Sequence, residues 1–537
     1  MNPRSPARFF AYAFLLGVGL VMALTFDDYG VSWDEVFRWG GGDAKLRYYN
    51  ALVSGNIEAA GDYRAKVDHY PGLVDLPLAF LRNQLGAPDY LVGHAWTAAF
   101  GLLGIAGAMA LAKVLGGRWA ALLAGISLAL YPRYWGHAFF NPKDIPFAAM
   151  YVWGLWALAL ALRDRRRDWR SALCFGALAG ACMSVRVGGL LLLCYAGLFI
   201  FLQLVYARVC IGVAYFKRQA WESLRWGAVA TALAFLFLLI FWPSAHQNPF
   251  VTTAGAVSAV SHFGWQGEVL FDGVSYPASE VPRRYLPAML ARTAPDFWWW
   301  LAMGCVAWLL CNAKLWRKLW SEHVAQLLVA FAVLFPLAYI MVRKSIVYDG
   351  ARHVLFLIPP SAALLGCWSV NAYSALQSKY GRWAALLWAT PSLGLMLWTV
   401  ADMARLHPYE YIYYNRLSGG VAGAKDRFET DYWGVAFREA ADILSNELPP
   451  RERPWRLTME PPIDALVARF GKPVVPPPSL VKPFLGEHFE LVSGDQQPDF
   501  YIASSRNGYH DMRDGKVLLS IARDGVVLVV VKEFSAQ

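Results

Sequence analysis

FFAYAFLLGVGLVMALTFDDYGVSWDEVFR, residues 9–38, decides the fold. Residues 9 to 25 carry no charge, and a helix of about this length crosses most of the roughly 30 Å hydrocarbon core of a bilayer. Immediately beyond it stand Asp27, Asp28, Asp34 and Glu35. Carboxylates set against a membrane boundary are costly unless they are used, so this junction is where chemistry is sought first.

Working outward, the rest of the chain repeats the pattern. Of 537 residues, 57% are hydrophobic and 16% charged, and the mean hydropathy of +0.34 is too high for an ordinary soluble protein. Apolar runs lie near 9–25, 91–112, 119–132, 145–162, 171–185, 187–207, 226–243, 296–312, 324–342, 354–370 and 383–401, which predicts an α-helical polytopic membrane protein of about eleven spans. No clear small-residue cleavage site precedes Phe26, so the first run reads as a span rather than as a signal peptide.

Basic residues fall on alternate loops: Arg4 and Arg8, RDRRRDWR at 163–170, Arg208 to Arg225, KLWRK at 314–318, and Lys379 with Arg382. The positive-inside rule therefore puts the N-terminus in the cytoplasm, and loops 26–90 and 244–295 and the tail 402–537 on the opposite face. These loops account for most of the net charge of +10, leaving no basic patch for nucleic acid. All seven cysteines lie in or beside apolar runs, so disulfides do not staple the external parts. With no C-x-x-C and few histidines, a dedicated zinc site is not expected.

Loop 26–90 carries apolar residues at helical spacing, interrupted at Gly40, Gly41 and Gly42, and reads as interfacial helices. Loop 244–295, rich in Gly, Pro and Ser, reads as an irregular lid. From 402 onward helix and strand signals alternate: helices at 432–446 and 463–470, and strands at 456–459, 500–503, 517–521 and 526–531. The chain thus divides into a membrane module, 1–401, and a small extracytoplasmic α/β domain, 402–537.

Polar groups recur at external junctions: WDE at 33–35, DHYPG at 68–72, NPKD at 141–144, and a set containing Arg343, Lys344, Asp349, Arg352 and His353. A carboxylate there can take a proton from an acceptor hydroxyl, while Arg and Lys hold a departing phosphate. Each group also has a plainer explanation. Ser32 can cap a helix whose first turn holds Asp34 and Glu35, with Asp27 and Asp28 as rival acids. Asn141 can cap a span that contains Asp144. Arg186, between two apolar stretches, needs a partner, either an internal acid or a lipid phosphate. Arg343, Lys344 and Arg352 are basic on the face where basic residues are disfavoured, which points to an anion. His69 and His353 are ordinary boundary histidines unless the site recruits them, and FWWW at 297–300 and YIYYN at 411–415 read as interface belts.

In this order the residues resemble the GT-C superfamily of polytopic glycosyltransferases, especially bacterial relatives of the protein mannosyltransferases and the lipid A aminoarabinose transferases. The resemblance rests on Trp33-Asp34-Glu35, Tyr70-Pro71, Asn141-Pro142-Lys143-Asp144, Arg352-His353 with Pro359-Pro360, HPYEYIYYNRLSGG at 407–420 and DYWG at 431–434. It implies a GT-C fold in a bacterial inner membrane, with catalysis on the periplasmic side. It also implies a polyprenyl-phosphate-linked sugar donor and an acceptor hydroxyl of unspecified lipid, glycan or protein. Asp34 matches the catalytic carboxylate and Asp144 the acid of the second loop, with Glu35 beside them. His69, Tyr70, Lys143, Arg186, Arg343, Lys344, Arg352 and His353 are then candidates to bind substrate. A monophosphate held by several cations does not require a metal, so no metal or other cofactor is expected. The 244–295 loop is too short for the soluble insert of eukaryotic protein mannosyltransferases, so the resemblance does not extend to protein as acceptor. The alternatives are a transporter or lipid flippase and a non-catalytic assembly or sensor protein. A transporter predicts charges through the membrane centre and two related halves, whereas the acids here collect on one face.

Overall fold

The computed structural model describes residues 6–66, 70–165, 167–261, 264–265, 267–312, 322–459, 478–492 and 496–534. His69, Arg166, KLWRK at 314–318, the expected helix at 463–470 and much of the Pro-rich stretch that follows it lie outside those residues.

Every apolar run expected to span the membrane falls on helix. Seven helices are long and apolar enough to cross, or up to eight if the bent pair Tyr285–Thr293 and Asp296–Cys311 counts as one. This is a multi-pass membrane protein with fewer qualifying spans than runs, for two reasons. Arg118–Ala129 and Trp169–Met183 are short, at 12 and 15 residues. The last two runs share one 49-residue helix, Ile358–Leu406, broken at Gly381, whose φ of 86° no regular helix contains.

Loop 26–90 forms three helices, Trp33–Val53, Ile57–Lys66 and Asp75–Leu85. The expected break at Gly40 to Gly42 does not occur: the helix runs through all three, and Gly42 serves packing rather than a turn. A Cβ on Gly42 would sit 2.6 Å from the carbonyl oxygen of Asp75, so only glycine lets these two helices approach so closely. Loop 244–295 is not irregular either. It contains the helix Pro249–Ser261 and a hairpin of β1 (Glu268–Phe271) and β2 (Val274–Pro277), followed by Tyr285–Thr293. The hairpin pairs with the tail through Phe271 and Phe428, and Asp272 bonds to Arg427.

The tail builds a mixed sheet from β3 (Trp455–Met459), β4 (Phe489–Leu491), β5 (Phe500–Ser504), β6 (Lys516–Arg523) and β7 (Val526–Glu533), in the order β4-β3-β5-β7-β6. β3, β4 and β5 run parallel, whereas β7 is antiparallel to both its neighbours. β7 is paired on both edges, and its near-continuous apolar run, buried from Leu528 to Val531, suits that place. The helix Phe437–Glu447 packs on β6 and β7. Ahead of it, Tyr411, Tyr413 and Tyr414 are buried rather than forming an interface belt. Tyr411 packs against His137 and Phe140, and the Tyr413 carbonyl accepts a hydrogen bond from Arg133.

Candidate active site

Three chain segments meet around Asp34, and the local sequence explains how each is held. Ser32 precedes the helix Trp33–Val53, and its N–H donates to Glu35 Oε2 at 2.8 Å, satisfying a helix-start donor. The Ser32 hydroxyl donates to the Phe140 carbonyl, also at 2.8 Å. This bond pins the start of the helix Trp33–Val53 to the segment just before Asn141. At that segment the Asn141 side chain accepts from the Asp144 N–H at 2.8 Å and donates to Asp144 Oδ2 at 3.0 Å. Lys143 is thereby aimed outward from the helix start. The third segment is the turn at Asp349 and Gly350, both at positive φ; Gly350 donates its N–H to the Tyr285 hydroxyl, and the turn delivers Arg352.

The resulting cluster is continuous. Lys143 Nζ lies 2.9 Å from Asp34 Oδ2. Arg352 Nη1 lies 3.5 Å from both Asp34 Oδ2 and Asp144 Oδ2, while its Nε donates to Asp349 Oδ2 at 3.0 Å. Arg186 pairs with Asp144 Oδ1 at 2.5 Å. Asp144 and Arg352 are buried at 2% and 3% exposure, whereas Asp34 and Arg186 keep 21% and 20%. The buried acids thus fix the cations, and Asp34, Lys143 and Arg186 form the open rim, which carries one carboxylate and two cations. That rim suits an anion and a hydroxyl side by side.

Burial alone would raise the Asp34 carboxyl; Lys143 and Arg352 outweigh it and hold the group below its ordinary value, hence ionised. Lys143 is shifted up, Asp34 and then Tyr70 overcoming the effect of its burial. Lys143 also sits over the Tyr70 ring, 5.5 Å from its centre, and lowers the phenol's pKa.

Four other candidates stand outside the rim, His353 beside it and Glu35, Arg343 and Lys344 farther off. Glu35 is 1% exposed and turned away from the rim, occupied with Ser32 and with His94 at 3.2 Å. His353 packs edge-on against Tyr348, with its Nδ1 buried. Arg343 and Lys344 are exposed at the end of Val324–Arg343, and Lys344 lines a separate cleft with Arg283, Ser345 and Val347. Neither pairs with Asp34 or Asp144. The rival acids also face away: Asp28 bonds to His407 at 3.0 Å, and Asp27 pairs with Arg438. Both tie the first loop to the tail. Among the described residues, no group of three His, Cys, Asp or Glu side chains is placed to hold a metal ion.

The tail supplies a further layer against Asp349 and Arg352. Trp433 of DYWG donates its indole N–H to Asp349 Oδ2 at 3.1 Å, and its ring faces Arg352, 5.1 Å from the guanidinium carbon. Arg506 bonds to Asp349 Oδ1 at 2.8 Å and to Glu429 at 3.1 Å. Asp431 accepts from the N–H groups of Gly434, Val435 and Ala436, shaping the turn that presents Trp433. DYWG was legible as part of a resemblance, but nothing in its spacing says that it packs on Arg352.

No family model matches the chain. No curated protein matches it either. Among solved structures, it is similar to ArnT from Cupriavidus metallidurans in the apo state, with a TM-score of 0.48, 15% identity and 98% of each chain covered. The same enzyme bound to undecaprenyl phosphate gives a TM-score of 0.46 at 15% identity, covering 97% of each chain. The oligosaccharyltransferase AglB from Archaeoglobus fulgidus, in complex with an inhibitory peptide and a dolichol-phosphate, gives 0.48 at 11% identity, over 93% of this chain and 69% of that one. These similar structures are GT-C glycosyltransferases, the superfamily whose motifs the chain resembles.

Proposed function

We propose that the chain is a membrane glycosyltransferase that moves a sugar from a polyprenyl-phosphate-linked donor to an acceptor hydroxyl at the external, periplasmic face, with Asp34 as general base. The observation that carries this reading is the rim itself: one ionised, partly exposed carboxylate beside two cations, Lys143 paired with that carboxylate and Arg186 with the buried Asp144. In the reaction the acceptor oxygen attacks the anomeric carbon and its proton passes to Asp34 Oδ2. The bond from that carbon to the phosphate oxygen breaks, and inversion follows from attack opposite the leaving group. The polyprenyl monophosphate departs with its charge against Lys143, Arg186 and Arg352.

Lys143 serves both halves of the step. A phosphate that draws its ammonium away from Asp34 removes the largest attraction stabilising the carboxylate's charge, so donor binding raises the basicity of Asp34. The acceptor proton is then taken when the leaving group is in place. Incubating membranes that contain Asp34→Asn or wild-type protein with a radiolabelled polyprenyl-phosphate sugar tests the proposal. Wild-type transfer by a folded Asp34→Asn variant overturns it.

A further inference from the structure

Behind Arg352, on the side away from Asp34, lies a small cavity lined by Tyr131, Arg133, His137, Thr293, Arg352 and Tyr432 together with apolar side chains. Arg133 is 3% exposed. Its Nε donates to the Tyr413 carbonyl at 3.0 Å and its face lies over the Tyr414 ring, 4.7 Å from the centre. Both terminal nitrogens, Nη1 and Nη2, are buried; their hydrogen-bonding neighbour is the Tyr414 hydroxyl, and no carboxylate pairs with Arg133 among the described residues. A guanidinium cannot shed its proton to escape burial, so its charge needs compensation. Arg352, the second cation on the wall, has all its carboxylates elsewhere: Asp34, Asp144 and Asp349 are absent from the lining, which holds no Asp or Glu among the described residues. His137 adds no charge, since burial above all pushes its imidazole down to about 3.

We infer that this cavity binds a small monovalent anion of halide size, held by the Nη atoms of Arg133 with Arg352 as the second cation. The space open to the centre of a water-sized sphere is about 10 Å³, room for one small ion or one water. Of the charged cluster around Asp34, the lining shares Arg352 and none of Asp34, Lys143, Asp144 and Arg186, which separates it from the proposed site of the donor's phosphate. A lone water would satisfy hydrogen bonds but not the charge. The anion sits beneath the turn that delivers Arg352, where Gly350 leaves Arg133 its place: a Cβ there would come within 2.7 Å of Nη1.

The test uses the full chain purified in detergent, with chloride exchanged for gluconate and bromide then added at constant ionic strength. We expect a rise in melting midpoint that begins near the dissociation constant, the apparent unfolding constant falling roughly tenfold for each tenfold rise in bromide above it. Arg133→Gln should lose that response. Crystals of the wild-type chain in bromide should show an anomalous peak beside Arg133, which decides the matter even if the variant does not fold. A midpoint indifferent to bromide, or density at Arg133 with no anomalous signal, means water alone and overturns the inference.

Discussion

Lys143 Nζ and Asp34 Oδ2 stand 2.9 Å apart, joining the start of the helix Trp33–Val53 to the segment before the helix Asp144–Arg163 across the rim of a charged cluster. The contact sets the protonation of the proposed base. With Lys143 in place Asp34 is held below its ordinary value, so the acid limb of kcat/KM lies under about pH 4. In Lys143→Met the limb should move up, with a loss in kcat/KM. The pH–rate profile of the two proteins checks this; an unmoved limb argues against the pairing.

Arg352 is the keystone beneath the rim, touching Asp34, Asp144 and Asp349 at 3% exposure. Removing its charge in Arg352→Gln leaves Asp144 to Arg186 alone and Asp349 to Arg506 and Trp433, and should cost about 1–3 kcal/mol of stability. Arg352→Lys should fold better yet lose about 10²-fold or more in kcat, because an ammonium cannot bridge the same three acids. Melting midpoints and turnover of both variants separate the two effects.

Two of the three glycines of the helix Trp33–Val53 should respond in opposite ways. Gly42→Ala forces a Cβ to within 2.6 Å of the Asp75 carbonyl and should destabilise by about 1–3 kcal/mol through overpacking. At Gly40 an added methyl would meet nothing within 4 Å, so Gly40→Ala should be neutral or stabilise by up to about 1 kcal/mol through helix propensity. Paired thermal melts check the contrast.

His407 links the first loop to the tail through Asp28 at 3.0 Å and Glu410 at 2.9 Å. Although partial burial opposes it, these two acids raise its pKa above the ordinary value. A raised histidine contributes stability that is full below the unfolded value of about 6.5 and is lost as pH rises through the folded value. His407→Gln should therefore lower the melting midpoint clearly at about pH 5.5 and much less at about pH 9.

How much of this was legible in the sequence follows from what each signal measures. Hydropathy located the helices because lipid enforces long apolar runs, but Gly381 and the short helix Arg118–Ala129 show why runs do not convert simply into spans. Of the candidate residues, Asp34, Lys143, Asp144, Arg186 and Arg352 come together in the structure, since each is an ionic group at the end of an apolar segment and requires a partner. Glu35 is adjacent to Asp34 in sequence but about a quarter-turn round the helix, and the Ser32 N–H claims it. The exposed Arg343 and Lys344 show the limit of counting charge at a boundary, since such residues can simply reach water. Trp433 and Arg506 lie far along the chain from Arg352, and the buried tyrosines at 411–414 have the composition of an interface belt. Only tertiary packing distinguishes these cases.

The most direct test of the central claim is single-turnover sugar transfer by purified Asp34→Asn alongside a measurement of polyprenyl-phosphate binding by the same protein. Loss of transfer by at least about 10²-fold, with lipid-phosphate binding retained, is the result predicted for a general base on the rim. Transfer at the wild-type rate by the folded variant would contradict it.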